Sequence, residues 1–269
     1  MCGLFGVVFQ NPPKRAHRLR SIRLFNSLAV CSVTRGGDAT GVAVVQRSGD
    51  TPLYKNTVAA PIIVDTKRWK RLLDKVDDDT AMLMGHTRFG THGENTPGNA
   101  HPFAFTHPTY GDLVGTHNGM IYNHDELLAT EAKYESDSAN LFFALASLPE
   151  NEFTKILSRA WGSYALVFRQ EDHVYFVRNS GSPLYICRAP ELGVMLYASE
   201  PGILRNAAKA HSVKLTRPAE INANRLYAIN LHTYKERVID FTPDEEALSV
   251  EQMLLPMQKK RKAMKWSVT

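Results

Sequence analysis

The residues with the clearest chemical potential come first in the chain: Met1-Cys2-Gly3-Leu4-Phe5-Gly6. Cysteine is small enough for an initiator methionine in front of it to be removed, which would leave Cys2 carrying both a thiol and a free α-amine. These groups titrate near ~8.5 and ~7.7–8.0, so nucleophile and base can come from one residue. Farther on, Arg88 offers a bidentate fork suited to a carboxylate. Asn118-Gly119 offers a side-chain amide and an accessible backbone N–H, the two donors an oxyanion hole needs. Asp137 offers a counter-charge for an ammonium. Carboxylate, ammonium and a carbonyl open to attack describe a free amino acid with a side-chain amide, which points to L-glutamine. Each residue also has a plainer reading. Met-Cys is one way a gene begins, Arg88 and Asp137 can form an ordinary ion pair, Asn118-Gly119 can be a hairpin turn, and Arg35-Gly36-Gly37 can be a helix stop.

Six of the ten histidines, His86, His92, His101, His107, His117 and His124, fall within 39 residues. Their spacing matches no HExxH or paired His/Cys pattern, so no metal and no other cofactor is expected. Three widely spaced cysteines, Cys2, Cys31 and Cys187, suggest neither a disulfide framework nor a thiolate zinc site. No stretch approaches the ~20 apolar residues of a membrane span and no secretory leader is evident, so a soluble, cytoplasmic protein with no membrane contact is expected. The net charge of +5 sits entirely in the tail, at Lys259, Lys260, Arg261, Lys262 and Lys265. Such a run is compatible with nucleic acid, an acidic partner or plain solvation.

Apolar patterning indicates the elements that must hold these residues. Leu4 to Phe9 reads as a buried strand that would fix the N-terminus. Lys14 to Val33 reads as an amphipathic helix, ended by the glycine-rich Thr34-Arg35-Gly36-Gly37-Asp38 turn. Strands are expected at 42–45, 53–55, 81–84 and 113–115, and a helix at 65–76. The polar runs Gly85 to Gly93 and Thr116 to Gly119 read as loops leaving the strand ends, and Asp137 as the opening of a helix over 138–148. The second half is mainly strands, at 164–168, 174–177, 184–187, 194–197 and 226–231, with a turn at Pro201-Gly202. This is an α+β layered domain with mostly antiparallel sheets, spanning residues 1–242. A C-terminal segment over 243–269 carries a helix at 244–255 and the basic tail 259–265.

Taken together, Cys2-Gly3-Leu4-Phe5-Gly6, Arg35-Gly36-Gly37-Asp38, Gly85-His86-Thr87-Arg88-Phe89-Gly90-Thr91-His92-Gly93, Asn99-Ala100-His101-Pro102, His117-Asn118-Gly119 and Ser136-Asp137-Ser138 resemble, in order, the motifs of class II glutamine amidotransferases. The strongest likeness is to the glutaminase domain of glucosamine-6-phosphate synthase, and Asn118 to His124 is similar to asparagine synthetase as well. The resemblance covers roughly 2–240; Phe89 stands where the synthase relatives have tryptophan. It implies an N-terminal nucleophile hydrolase fold, a four-layer αββα sandwich with two mostly antiparallel sheets. It implies Cys2 as nucleophile with its α-amine as base, and Asn118 and Gly119 as the oxyanion hole. Arg88 with Thr91 and His92 would bind the glutamine α-carboxylate, Asp137 with Gly119 the α-ammonium, and Arg35 with Gly36 would support the turn. The implied reaction releases glutamate and ammonia through a Cys2 γ-glutamyl thioester, the ammonia going to a synthase partner in trans. The alternatives are an N-terminal-cysteine hydrolase of another amide, or a non-catalytic scaffold or nucleic-acid-associated subunit that keeps the fold.

Overall fold

The protein is described by a computed structural model covering residues 2–90, 93–127 and 134–245. Its thirteen described strands are β1 (Gly3–Phe9), β2 (Ala39–Gln46), β3 (Leu53–Asn56), β4 (Thr80–Arg88), β5 (Phe103–His107), β6 (Gly111–Ile121), β7 (Gly162–Gln170), β8 (His173–Arg178), β9 (Tyr185–Ala189), β10 (Val194–Ala198), β11 (Ala219–Glu220), β12 (Arg225–Asn230) and β13 (Glu236–Asp240). The helices are α1 (Arg15–Ser32), α2 (Ala60–Ile63), α3 (Lys67–Leu73), α4 (Asp137–Ala146), α5 (Phe153–Arg159) and α6 (Pro201–Ala210).

The strands form two sheets, ordered β11-β9-β10-β1-β4-β2-β3 and β13-β12-β8-β7-β6-β5. Every described pairing is antiparallel. Three apolar layers explain why they stack. Phe5, Val7 and Phe9 alternate to the outer face of the first sheet, where they pack with Leu24, Phe25 and Leu28 of α1 and Leu204 and Ala207 of α6. Leu4 and Val8, pointing the other way, meet Ala165, Val167 and Phe176 of the second sheet. Leu166 and Phe168 turn outward to Leu141, Phe142 and Leu145 of α4 and Phe153 of α5. A strand covered on both faces must be apolar at consecutive positions, and β1 is buried along its whole length. The result is the four-layer αββα sandwich of the sequence reading. β1 lies mid-sheet, hydrogen-bonded on both sides, so the start of the chain is pinned rather than frayed.

Several elements differ from expectation. β4 continues through His86, Thr87 and Arg88, and β6 through His117, Asn118 and Gly119, where loops were expected. Their polar side chains are buried between layers rather than solvated, which hydropathy does not distinguish. The helix expected at 65–76 is α3, shorter at both ends and capped by Thr66 Oγ1, which accepts from the Trp69 N–H; the short α2 before it was not expected. Pro201-Gly202 is not a turn but the opening of α6, where a proline at the first helical positions costs no hydrogen bond. β5, β13 and α5 were missed: β5 and β13 are largely exposed edge strands, and α5 is a short helix. The expected helix at 244–255 falls almost wholly outside the described residues, as does the 259–265 tail. Among the described residues no helix is long and apolar enough to cross a membrane.

Candidate active site

Strand register sets the site. Gly3 pairs with Thr87 and Leu4 with His86, which brings Cys2 level with Arg88 at one end of the first sheet. Side chains alternate across a strand. Thr87 turns outward, its Oγ1 donating to the Ser32 carbonyl at 3.0 Å, so His86 and Arg88 turn inward toward the second sheet. Leu4 lies in the inter-sheet core, and Cys2, two residues before it, shares that sense. Across the gap, Asn118 pairs with Ala165, itself an inter-sheet core residue, so Asn118 faces inward too. Asp137 stands in the first turn of α4, and its Oδ2 accepts from the Ile121 N–H at 3.0 Å. Its carboxylate is close enough to act on the Cys2 thiol.

Cys2 is partly buried. The Phe89 N–H donates to its sulfur at 3.4 Å, and the thiol reaches the Phe89 carbonyl at 3.6 Å. Burial pushes the thiol pKa up and Asp137 adds to this, while the Phe89 hydrogen bond and the Arg35 charge oppose it. Arg35, buried at the end of the short 3₁₀ turn after α1, donates from Nε to the Cys2 carbonyl at 2.7 Å and pairs with Glu200 just before α6. It therefore does more than end a helix. Gly36 lies so close to β4 that a Cβ there would sit 2.4 Å from the Arg88 carbonyl carbon. That approach lets the Asp38 N–H bond the Arg88 carbonyl at 3.0 Å, while Asp38 Oδ2 accepts from the Gly90 N–H at 2.7 Å.

The Arg88 guanidinium is buried and donates to the Gly93 and Glu94 carbonyls, at 3.2 Å each, and to Asn95 Oδ1 at 3.3 Å. Asn118 is 1% exposed, yet neither its Nδ2 nor its Oδ1 has a hydrogen-bond partner among the described residues. Gly119 follows at φ +149°, where a Cβ would lie 1.8 Å from the Ser163 carbonyl oxygen. Asn118-Gly119 is thus strand interior with a glycine-only backbone, not a hairpin turn. Thr91 and His92 lie outside the described residues.

Sequence reasoning assigned no role to Glu200, to Ser199, whose Oγ accepts from the Leu4 N–H at 2.9 Å, to the Phe89 main chain, or to Asp38 and Asn95. Phe89 and Asp38 lie within stretches that carry the resemblance, but Phe89 acts through its main chain and Asp38 and Ser199 act on main-chain N–H groups, which leave little trace in residue type. The histidines gather without forming a metal site among the described residues. Instead the His86 and His101 rings pack at 3.9 Å, and His86 Nε2 donates to the His117 carbonyl at 2.9 Å. Burial lowers the pKa of His86 to about 3 and also lowers those of His101 and His117.

These shifts carry a stability prediction. Below about pH 6.5 the unfolded chain gains imidazole protons that the folded chain refuses, so stability is full above that pH and falls as pH drops, for His86 until its folded value near 3 is passed. Each histidine that stays neutral contributes a slope of about 1.4 kcal/mol per pH unit. Urea unfolding between pH 7 and 5 is expected to show uptake of about two to three protons, reduced by one in His86→Gln. Constant stability across that range would refute the assignment.

Residues 86–206 match the family described as glutamine amidotransferase domain. The chain is 31% identical over 166 residues, 56% of its length, to the glutamine–fructose-6-phosphate aminotransferase (isomerizing) of Staphylococcus epidermidis. That match covers 26% of the relative, so it spans about a quarter of the relative's length. Among solved structures, the fold aligns with an allosteric regulatory enzyme of purine biosynthesis at a TM-score of 0.69 and 19% identity, covering 90% of this chain and 50% of the other. It aligns with the glutamine phosphoribosylpyrophosphate amidotransferase of B. subtilis at 0.67 and 18% identity, with the same coverage. At such identities these two likenesses speak for the fold alone. Motif order, the αββα sandwich and the family match point the same way: residues 86–206 are similar to the glutamine amidotransferase domain, and the described fold is shared with both solved structures.

Proposed function

We propose that this domain hydrolyses L-glutamine to glutamate and ammonia through a γ-glutamyl thioester on Cys2, and that the ammonia passes to a synthase on a partner chain. The observation that carries the reading is the buried Asn118 amide, without a partner among the described residues and turned toward the first sheet, where Cys2 sits just before β1. A buried amide left unpaired costs stability. A developing oxyanion would accept from Asn118 Nδ2 and from the Gly119 N–H.

The steps follow from these positions. With Met1 removed, the Cys2 thiol gives its proton through a water to its own α-amine, and the sulfur attacks the side-chain carbonyl of glutamine. The tetrahedral oxyanion collapses and the C–N bond breaks as the Cys2 α-ammonium gives its proton to the departing amide nitrogen, which leaves as ammonia. Water then cleaves the thioester, restoring the thiol and releasing glutamate. The glutamine α-carboxylate would take the Arg88 fork from the Gly93 and Glu94 carbonyls, exchanging neutral acceptors for an anion. Asp137 would face the α-ammonium. Delivery to a synthase is supported by relatives named as aminotransferases, of which the matched region is a quarter.

Intact-mass analysis of the N-terminus, with glutamate and ammonia measured together, tests the reading. Protein that begins at Cys2 is expected to release the two products in equal amounts and to carry a glutamyl group on Cys2 after acid quench. Processed protein that turns over no glutamine, alone or with a co-purifying synthase, would defeat it. Free ammonia that a co-purified synthase does not consume would defeat delivery in trans.

A further inference from the structure

The buried histidines of the inter-sheet layer are not used by the mechanism above, yet they touch its parts. His86 lies on β4, two residues before Arg88 and on the same face, opposite Leu4 of β1 and Gly41 of β2. Its Nε2 lies 2.9 Å from the His117 carbonyl. A carbonyl only accepts, so Nε2 carries the proton. β5 pairs with β6 only as far as Phe103 opposite Gly115. Beyond that point β6 has β7 on one side and no described strand on the other. In that stretch the His86 hydrogen bond ties the oxyanion strand to the nucleophile's sheet, one residue before Asn118. From His117 the connection continues: Nδ1 lies 2.8 Å from Ser138 Oγ, which donates to Asp137 Oδ1 at 3.2 Å, and Asp137 Oδ2 returns to β6 at the Ile121 N–H.

We propose that His86 is a positioning residue for the oxyanion hole: its Nε2–H, bound to the His117 carbonyl, sets the height of Asn118 and Gly119 over the sheet that carries Cys2. The inference rests on the glutaminase reading above. It follows from edge geometry, since an unpaired strand margin is the part of a sheet freest to shift, and a misplacement near 1 Å can cost on the order of 10²-fold in rate. Burial keeps His86 neutral across the working pH range, so the donor is not exchanged for a charge there.

Two variants separate the hydrogen bond from mere filling of space. Glutamine places its amide nitrogen near the position of Nε2, whereas the shorter asparagine cannot reach the carbonyl. In full-length protein, His86→Asn is expected to lower kcat by about 10–100-fold with KM for glutamine within about threefold, and His86→Gln to retain at least about a third of kcat. The iodoacetamide alkylation rate of Cys2 should stay within about twofold in both, because the thiol's own contacts are untouched. Amide hydrogen exchange adds a readout independent of turnover: a peptide over 113–121 should exchange about tenfold faster in His86→Asn and not in His86→Gln. Equal kcat in the two variants, a KM that rises in step with the fall in kcat, or unchanged exchange in His86→Asn would overturn the proposal. Wild-type protein that releases no glutamate while its exchange still responds to His86→Asn would instead overturn the glutaminase reading, leaving the two failures distinct.

Discussion

Cys2→Ala is expected to reduce glutamate release by on the order of 10⁴–10⁶-fold, the range seen when a covalent nucleophile is deleted, while leaving the fold in place. The two halves of that expectation have separate grounds. The sulfur is the atom that forms the thioester on the proposed path, and alanine supplies nothing in its place. The fold survives because what anchors residue 2 is main chain: Arg35 binds its carbonyl, and the paired stretch of β1 starts at Gly3. The thermal midpoint should therefore move by no more than about 4 °C, equivalent to about 1 kcal/mol in a chain of this size. The raised thiol pKa adds a kinetic signature. With Met1 still attached, alkylation of Cys2 should therefore keep accelerating above the pH at which an ordinary cysteine levels off. Glutamine turnover by the processed protein should not follow that curve, since on the proposed path the proton passes to the α-amine within the bound complex. Cys2→Ala protein with measurable turnover would remove Cys2 from the role of nucleophile.

The sequence revealed the fold class because burial on both faces of β1, β4, β7 and β10 writes apolar residues at consecutive positions, and because Lys14 to Val33 keeps helical spacing. It was less informative where tertiary packing overrides local character. His86, Thr87 and Arg88 look like a loop, and so does His117-Asn118-Gly119, because polar residues near glycine normally mean solvent. Here they are strand residues whose polar groups meet across layers, as His86 does with the His117 carbonyl and Thr87 with the Ser32 carbonyl. Pro201-Gly202 looks like a turn until Glu200, held by Arg35, is seen to precede the opening of α6. Arg35 shows the same limit at the site. Its type suggested support of a turn, but the target of that support is the Cys2 carbonyl, a main-chain atom with no identity in the sequence. Side-chain chemistry was readable one residue at a time; the main-chain partners that aim it became visible only once two sheets were stacked.

Asn118→Ala is expected to lower kcat by about 10²–10³, the cost of one oxyanion donor, with little change in KM, and to do so without destabilising the protein. A donor that acts on charge absent from bound glutamine and present in the tetrahedral intermediate contributes to the transition state alone, so kcat and kcat/KM should fall together. Stability should move the other way. Asn118 is buried with both polar atoms unpaired among the described residues, and an unsatisfied buried amide costs about 1–3 kcal/mol. Alanine removes that penalty and introduces a smaller one from the lost packing volume, so the thermal midpoint should hold or rise. Opposed changes of this kind mark a group kept for function at the expense of the fold, whereas a residue that only packs would lose stability and activity together. Asn118→Asp sharpens the test: it keeps the size but sets a carboxylate where the oxyanion must form. Turnover should fall below that of Asn118→Ala, with the difference narrowing as acid protonates the new side chain. An Asn118→Ala protein that is less stable and equally active would assign Asn118 to packing and leave the oxyanion to other donors.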